Sequence, residues 1–201
     1  MGAGAIPIIL TFLLVFVVWR VIFSTNRDLV RVRAWGELGR RLLPFVAIVG
    51  MAATLPLVQS RQEGWVPYAW VVVFGFVLVV ANFFYMPVHE RRANRAFRKN
   101  DYAGAASLLR KLVEKRPLAR YWSALGAALG AGERYEEGVE ASTKAVEVDP
   151  KYGLAYYNRA LILNKMGRKS RAKKDLERAL EADLPSRFRN AARGMLEEAR
   201  G

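Results

Sequence analysis

Trp65–Asn100 reads WVPYAWVVVFGFVLVVANFFYMPVHERRANRAFRKN, and its two halves have opposite chemistry. Residues 64–88 contain no Asp, Glu, Lys or Arg, and Trp65–Tyr85 is apolar apart from Asn82. At 1.5 Å per residue this run makes roughly 31 Å of helix, against a bilayer hydrocarbon core of roughly 30 Å. HERRANR (His89–Arg95) follows, with Arg98 and Lys99 a turn later. The stretch predicts a membrane region before it and a water-soluble helical region after it.

Charge is distributed to match. Of the net +14 over 201 residues, residues 1–88 hold 7 Arg against 3 acidic residues, and residues 89–201 hold 25 Lys and Arg against 15 acidic ones. Such an excess favours anionic partners: lipid headgroups, nucleic acid or acidic proteins. With no cysteine there is no disulfide, thiolate nucleophile or thiolate metal site, and a single His rules out any site needing two imidazoles.

Toward the N-terminus two further charge-free runs occur. Residues 1–19 carry no charged side chain, and Ile6–Trp19 is interrupted only by Pro7 and Thr11. A secretory signal would start with Lys or Arg and end in a small-residue cleavage site, so an uncleaved span over about residues 5–23 is expected. Arg20 would snorkel from its end to the headgroups. Leu42–Ser60 is the second run, diluted by Pro44, Gly50, Thr54 and Pro56. There Gly50, Ala53 and Thr54 would mark a close helix–helix contact, as small residues do in membranes. The third span covers about 65–86, with Pro67 in its first turn. Between the first two runs, Val32, Trp35, Leu38 and Leu42 share one side of a helical wheel, with Arg33, Glu37 and Arg40 on the other. Residues 24–41 are therefore either a helix lying in the membrane surface or a polar loop.

Orientation follows from the arginines. Arg20, Arg27, Arg31, Arg33, Arg40 and Arg41 flank the first connection, and Arg61 alone lies in the second. The positive-inside bias makes the first connection cytoplasmic and leaves the N-terminus outside. Three spans then return the chain to the cytoplasm, where the membrane-proximal Arg91, Arg92, Arg95, Arg98 and Lys99 obey the same rule. The expected setting is a multi-pass protein of the cell membrane, with anionic headgroups near that basic junction.

Beyond residue 89 the chain repeats. Pro117 and Pro150 lie 33 apart, and Leu184-Pro185 follows 34–35 residues on. Ahead of them run SLLRKLVE (Ser107–Glu114), STKAVEVD (Ser142–Asp149) and DLERALEAD (Asp175–Asp183). Ala155–Ala160 (AYYNRA), Gly167, Ala172 and Ala179 in the last unit resemble the tetratricopeptide repeat family, helix–turn–helix units of 34 residues. The middle unit matches with Trp122, Leu125-Gly126, Tyr135 and Ala145, with Gly138 where the family usually has Ala. The first is degenerate, with His89 and Arg92 replacing a usual aromatic and Leu. The residues agree with that resemblance. Ala172, Leu176, Ala179 and Leu180 share one helical face, opposite Arg171, Lys174 and Arg178. Phe188, Ala191, Ala192, Met195 and Ala199 recur at helical spacing behind Ser186, a suitable N-cap.

The expected fold is therefore all-α: three transmembrane helices in residues 1–88, then an α-solenoid in 89–201. Its repeats would cover about 86–117, 119–150 and 153–184, closed by a capping helix at 186–199.

No constellation points to catalysis, a cofactor or a metal. His89-Glu90-Arg91-Arg92-Ala93 lacks the second His of a zinc helix, and the glycines of Gly126–Gly132 follow no strand, so Gly126 reads as close helix packing and Gly130 and Gly132 as turn residues. Asn82 would bond to a neighbouring helix.

The resemblance implies peptide binding through the first helix of each repeat. A carboxylate-clamp arrangement is not met, because Glu90, Ala124, Leu154 and Asn158 replace its expected residues. Asn94, Arg98, Arg120, Tyr157 and Asn158 remain as groove candidates. Arg168, Lys169, Arg171, Lys173, Lys174 and Arg178 form the densest basic run. It reads as a solvated helix face, or one that meets an anionic bilayer; nucleic acid is disfavoured because no aromatic residues are interleaved. The function expected is a non-enzymatic scaffold holding a protein or peptide partner at the cytoplasmic face. The alternative is an accessory subunit of a transporter or envelope-synthesis complex acting through its spans.

Overall fold

The computed structural model describes Phe16, Arg20, residues 23–59 and residues 63–198, and every regular element among them is an α-helix. The chain divides into two compact units, one ending at Pro87 and one beginning at Val88.

In the first unit, α1 (Arg27–Arg31) is followed by α2 (Trp35–Ala53), α3 (Leu55–Gln59) and α4 (Val66–Tyr85). Among the described residues, two stretches are long and apolar enough to cross a bilayer: Trp35–Val58 with mean hydropathy 1.9, and Val66–Tyr85 with 2.1. The first expected span, about 5–23, lies outside the described residues except Phe16, Arg20 and Phe23. The second helix starts at Trp35 rather than Leu42 and carries Pro44 in its interior. Arg33, at φ 53°, makes the break from α1.

Residues 24–41 therefore comprise the short α1, the break at Arg33 and the first turns of α2, and Glu37 is not on a solvent face. Glu37, Leu38 and Arg41 are the buried residues of α2, while Trp35 is exposed. The Arg41 guanidinium lies 3.7 Å from the Glu37 carboxylate and 5.6 Å from the centre of the Tyr85 ring on α4. Turning inward pairs the two charges, which neither could achieve alone in an apolar setting.

Two further expectations are corrected here. Asn82 is exposed and makes no interhelical hydrogen bond among the described residues; the polar link between α2 and α4 is instead Trp70 Nε1 donating to Thr54 Oγ1 at 2.8 Å. Thr54 thus sits at a helix contact as expected, whereas Gly50 has open space where a side chain would begin.

The second unit is a stack of helix pairs: α5 (Val88–Arg98) with α6 (Tyr102–Lys115), α7 (Ala119–Ala131) with α8 (Tyr135–Val148), and α9 (Gly153–Lys165) with α10 (Lys169–Glu181). Each pair turns on one left-handed residue: Asn100 (φ 60°), Glu133 (φ 61°) and Gly167 (φ 74°). Gly130 is not a turn residue. It lies inside α7 pressed against Ile162 of α9, where an added Cβ would come 2.5 Å from Ile162 Cγ1.

The small residues do what their size suggests. Ala160 and Ala179 are fully buried and Ala172 nearly so. At Gly126 a Cβ would strike Ser142 Oγ and lie 3.0 Å from the Gly138 carbonyl oxygen, so α7 and α8 touch backbone to backbone. The final helix, α11 (Ser186–Glu198), packs on α10 and buries Ala192 and Leu196. Ser186 is its first residue rather than its cap. Arg189 holds this helix down, donating to the Leu180 and Ala182 carbonyl oxygens at the end of α10, at 3.2 and 3.3 Å, and to that of Leu184 in the connection, at 3.0 Å.

Candidate functional site

A two-layer stack has an inner layer of first helices and an outer layer of second helices. Here α7 packs directly on α9, whereas α8 and α10 do not pack closely on each other. The array thus tightens along its first helices and opens along its second ones.

The groove candidates belong to the first helices. Asn94 and Arg98 are exposed one turn apart on α5, and Arg120 is half-buried near the start of α7. On α9, Asn158 Nδ2 donates to the Ser123 carbonyl oxygen at 3.2 Å and to Ser123 Oγ at 3.0 Å, tying α9 to α7. Tyr157 is buried, and its ring centre lies 5.3 Å from that of Phe188 on α11. The structure therefore draws Tyr157 and Asn158 into packing between helices and leaves Asn94 and Arg98 open to solvent. Leu161, one turn beyond Tyr157, is the exposed large apolar residue of α9. The basic junction residues Arg92, Arg95, Arg98 and Lys99 are exposed and Arg91 half-buried.

Outside the groove the second helices are joined in one place and parted in another. Arg110 on α6 and Arg134 at the head of α8 both reach Glu137, with nitrogen–oxygen distances of 2.7 Å. Chiefly the Arg134 bond, which outweighs an opposing desolvation, and then the Arg134 and Arg110 charges and the Arg110 bond hold the Glu137 carboxyl below its usual pKa.

Between α8 and α10 there is instead a cleft of about 360 Å³, lined by Val139, Thr143, Arg159, Leu163, Arg171, Lys174, Asp175 and Arg178. Its floor is an ion pair. Arg159 donates from Nε to Asp175 Oδ2 at 2.7 Å, from Nη2 to Asp175 Oδ1 at 2.8 Å, and from Nη1 to Thr143 Oγ1 at 3.0 Å. The Asp175 bond raises the Arg159 pKa while burial opposes it, so the guanidinium stays charged. Arg159 stands 34 residues after Leu125, which is buried in the preceding repeat. A charged pair thus replaces apolar packing at this one level of the stack. Reading the sequence alone could not find it, because Arg159 and Asp175 are ordinary residues until α9 and α10 bring them together. The basic run was visible, but only part of it faces the cleft: Arg168, Lys169 and Lys173 do not line it.

Two segments of the chain, residues 119–152 and 154–185, match the tetratricopeptide repeat family. Among solved structures the chain is similar to the TPR2B domain in a pHsp70 complex of yeast Sti1, at 22% identity over 56% of this chain and 93% of that one, with a TM-score of 0.52. It is similar to the Sgt2 TPR domain from Aspergillus fumigatus, at 26% identity over 56% and 74%, with a TM-score of 0.51. A third likeness is to the Yersinia enterocolitica type III secretion translocator chaperone SycD, at 20% identity over 56% and 89%, with a TM-score of 0.52. No curated protein matches. These likenesses are of fold.

Proposed function

We propose, from the premise that residues 119–152 and 154–185 are tetratricopeptide repeats, that the chain is a membrane-anchored scaffold. In this reading its apolar helices sit in the bilayer and its helical array holds a partner protein or peptide at the cytoplasmic face. One observation carries the proposal: a unit with few buried apolar side chains among its described residues is joined to a unit with a conventional apolar core. In the first unit Val72, Phe76 and Val79 are exposed on α4 and Val46 on α2, and none of the α4 residues is buried. Exposed apolar faces of that extent in water are unfavourable by about 25 cal/mol per Å², and lipid removes the penalty. The second unit instead buries its apolar residues within itself. The fold neighbours are protein-interaction modules, one of them captured in a complex with pHsp70. That supports a protein or peptide as the partner class and leaves the clamp chemistry aside, since Glu90, Ala124 and Leu154 do not supply it.

Crosslinking in intact membranes followed by mass spectrometry tests the reading. Crosslinks from the array near Asn94, Arg98 and Arg120 to a soluble protein are expected. Contacts confined to residues 1–87 would transfer the function to the apolar helices, as in an accessory subunit of a membrane complex.

A further inference from the structure

The cleft between α8 and α10 brings unneutralised charge, apolar surface and a recessed shape together. Arg171, Lys174 and Arg178 are exposed along one side of α10 and make no ion pair or hydrogen bond through their side chains with other described residues. The single carboxylate of the cleft, Asp175, is taken up by Arg159. Three positive charges therefore face a floor containing Val139 and Leu163, with the Arg159–Asp175 pair and Thr143 between them. The two inner nitrogen–oxygen bonds fix Arg159 in place, so the floor is already ordered before anything binds.

We propose that this cleft docks an acidic segment of a partner protein, at a surface separate from the first-helix groove. Charge complementarity argues for the acid, and the recess argues for a chain rather than a plane. From Arg171 to Arg178 is a seven-residue rise, about 10.5 Å of helix, or the length of about three extended residues. An extended segment with carboxylates on one edge and apolar side chains on the other would set the acids against α10 and the apolar side chains over Val139 and Leu163. An anionic bilayer fits less well. The facing wall, α8, carries exposed Glu136 beside Val139 and Thr143, together with Glu140, which Lys144 pairs at 2.7 Å, and a flat anionic surface laid across both helices would meet the carboxylates there. A narrow chain following α10 avoids them.

The test uses the full chain in nanodiscs of neutral phosphatidylcholine and a fluorescein-labelled octapeptide of alternating leucine and aspartate, read by fluorescence anisotropy. It should bind about tenfold or more tighter than the leucine–asparagine counterpart. Arg171→Gln, Lys174→Gln and Arg178→Gln combined should lose that preference. Lys165→Gln, Lys169→Gln and Arg193→Gln, which remove equal charge outside the cleft, should shift the affinity by less than about threefold, as diffuse screened attraction would. Asn94→Ala with Arg98→Ala should leave it unchanged, which separates this site from the groove; loss there would assign the peptide to the groove and overturn the proposal. Equal losses in the two charge-matched triple variants would overturn it as well. So would a cleft variant that keeps its peptide affinity but no longer sediments with phosphatidylserine vesicles, because the cleft residues would then serve a membrane.

Discussion

Asp175 and Arg159 form a charged pair inside the repeat stack. Their side chains are 7% and 14% exposed, so each is largely withdrawn from water and dependent on the other. A buried pair contributes little net stability relative to apolar packing, but removing one member strands the other. Asp175→Ala should therefore destabilise the protein by about 3 kcal/mol, while replacing both residues by leucine should cost much less; denaturant unfolding of the two variants makes the comparison. Glu137 is the opposite case, an exposed carboxylate whose contribution depends on pH. Its folded pKa is lowered, chiefly by the Arg134 bond, so its pairing stabilises at pH above the ordinary carboxylate value of 4.5 and is lost as pH falls through the lowered value. Urea midpoints should thus show Glu137→Gln slightly less stable than the parent at pH 7 and equal to it in strong acid. A difference that persisted in acid would mean the residue acts through packing instead.

At the scale of the helix, the spacing between elements depends on a few positions without side chains. At Gly126 an added methyl would meet the Ser142 hydroxyl and the α8 backbone at Gly138, and the backbone cannot move aside as a flexible side chain can. Ser142 is fully buried and its hydroxyl has no hydrogen-bond partner among the described residues. Gly126→Ala should accordingly cost about 1–3 kcal/mol by forcing α7 from α8. Adding Ser142→Ala should recover part of that loss, since it removes the atom struck first and an unsatisfied hydroxyl at once. Thermal unfolding of the two single variants and the double variant gives the coupling; strict additivity would mean that the backbone contact alone sets the helix spacing. Gly138 shows the same economy from the other side of the contact, where Ile162 from α9 approaches to 3.0 Å of the missing Cβ.

For the molecule as a whole the prediction concerns sidedness. If the apolar helices span as proposed, the connection before α4 and the third repeat lie on opposite faces of the membrane. Single cysteines at Arg61 and Lys151, in a chain with no cysteine of its own, should label from opposite sides of sealed vesicles. Labelling of both from one side would remove the orientation derived from the arginines.

Some of this protein is determined by sums along the chain, and those parts were legible in its letters. A charge-free run of about twenty residues is apolar whatever surrounds it, which is why Val66–Tyr85 was readable as a helix long enough to cross a bilayer. A 33–34-residue recurrence of small residues and helix ends likewise announced the repeats before any packing was seen. Other parts depend on which distant residue each side chain meets, and no local property encodes that. Asn82 reads as a helix-bonding amide, yet Trp70 and Thr54 make the contact instead. Glu37 reads as solvent-facing until α2 turns it inward beside Arg41. Tyr157 and Asn158 read as open groove, yet Phe188 and Ser123 occupy them. The cleft exists only because α9 presents Arg159 to Asp175 while α8 and α10 stay apart. Tertiary structure decided these points, because a buried polar or charged group must satisfy itself with whatever the fold places within about 3 Å, and sequence neighbours do not set that list.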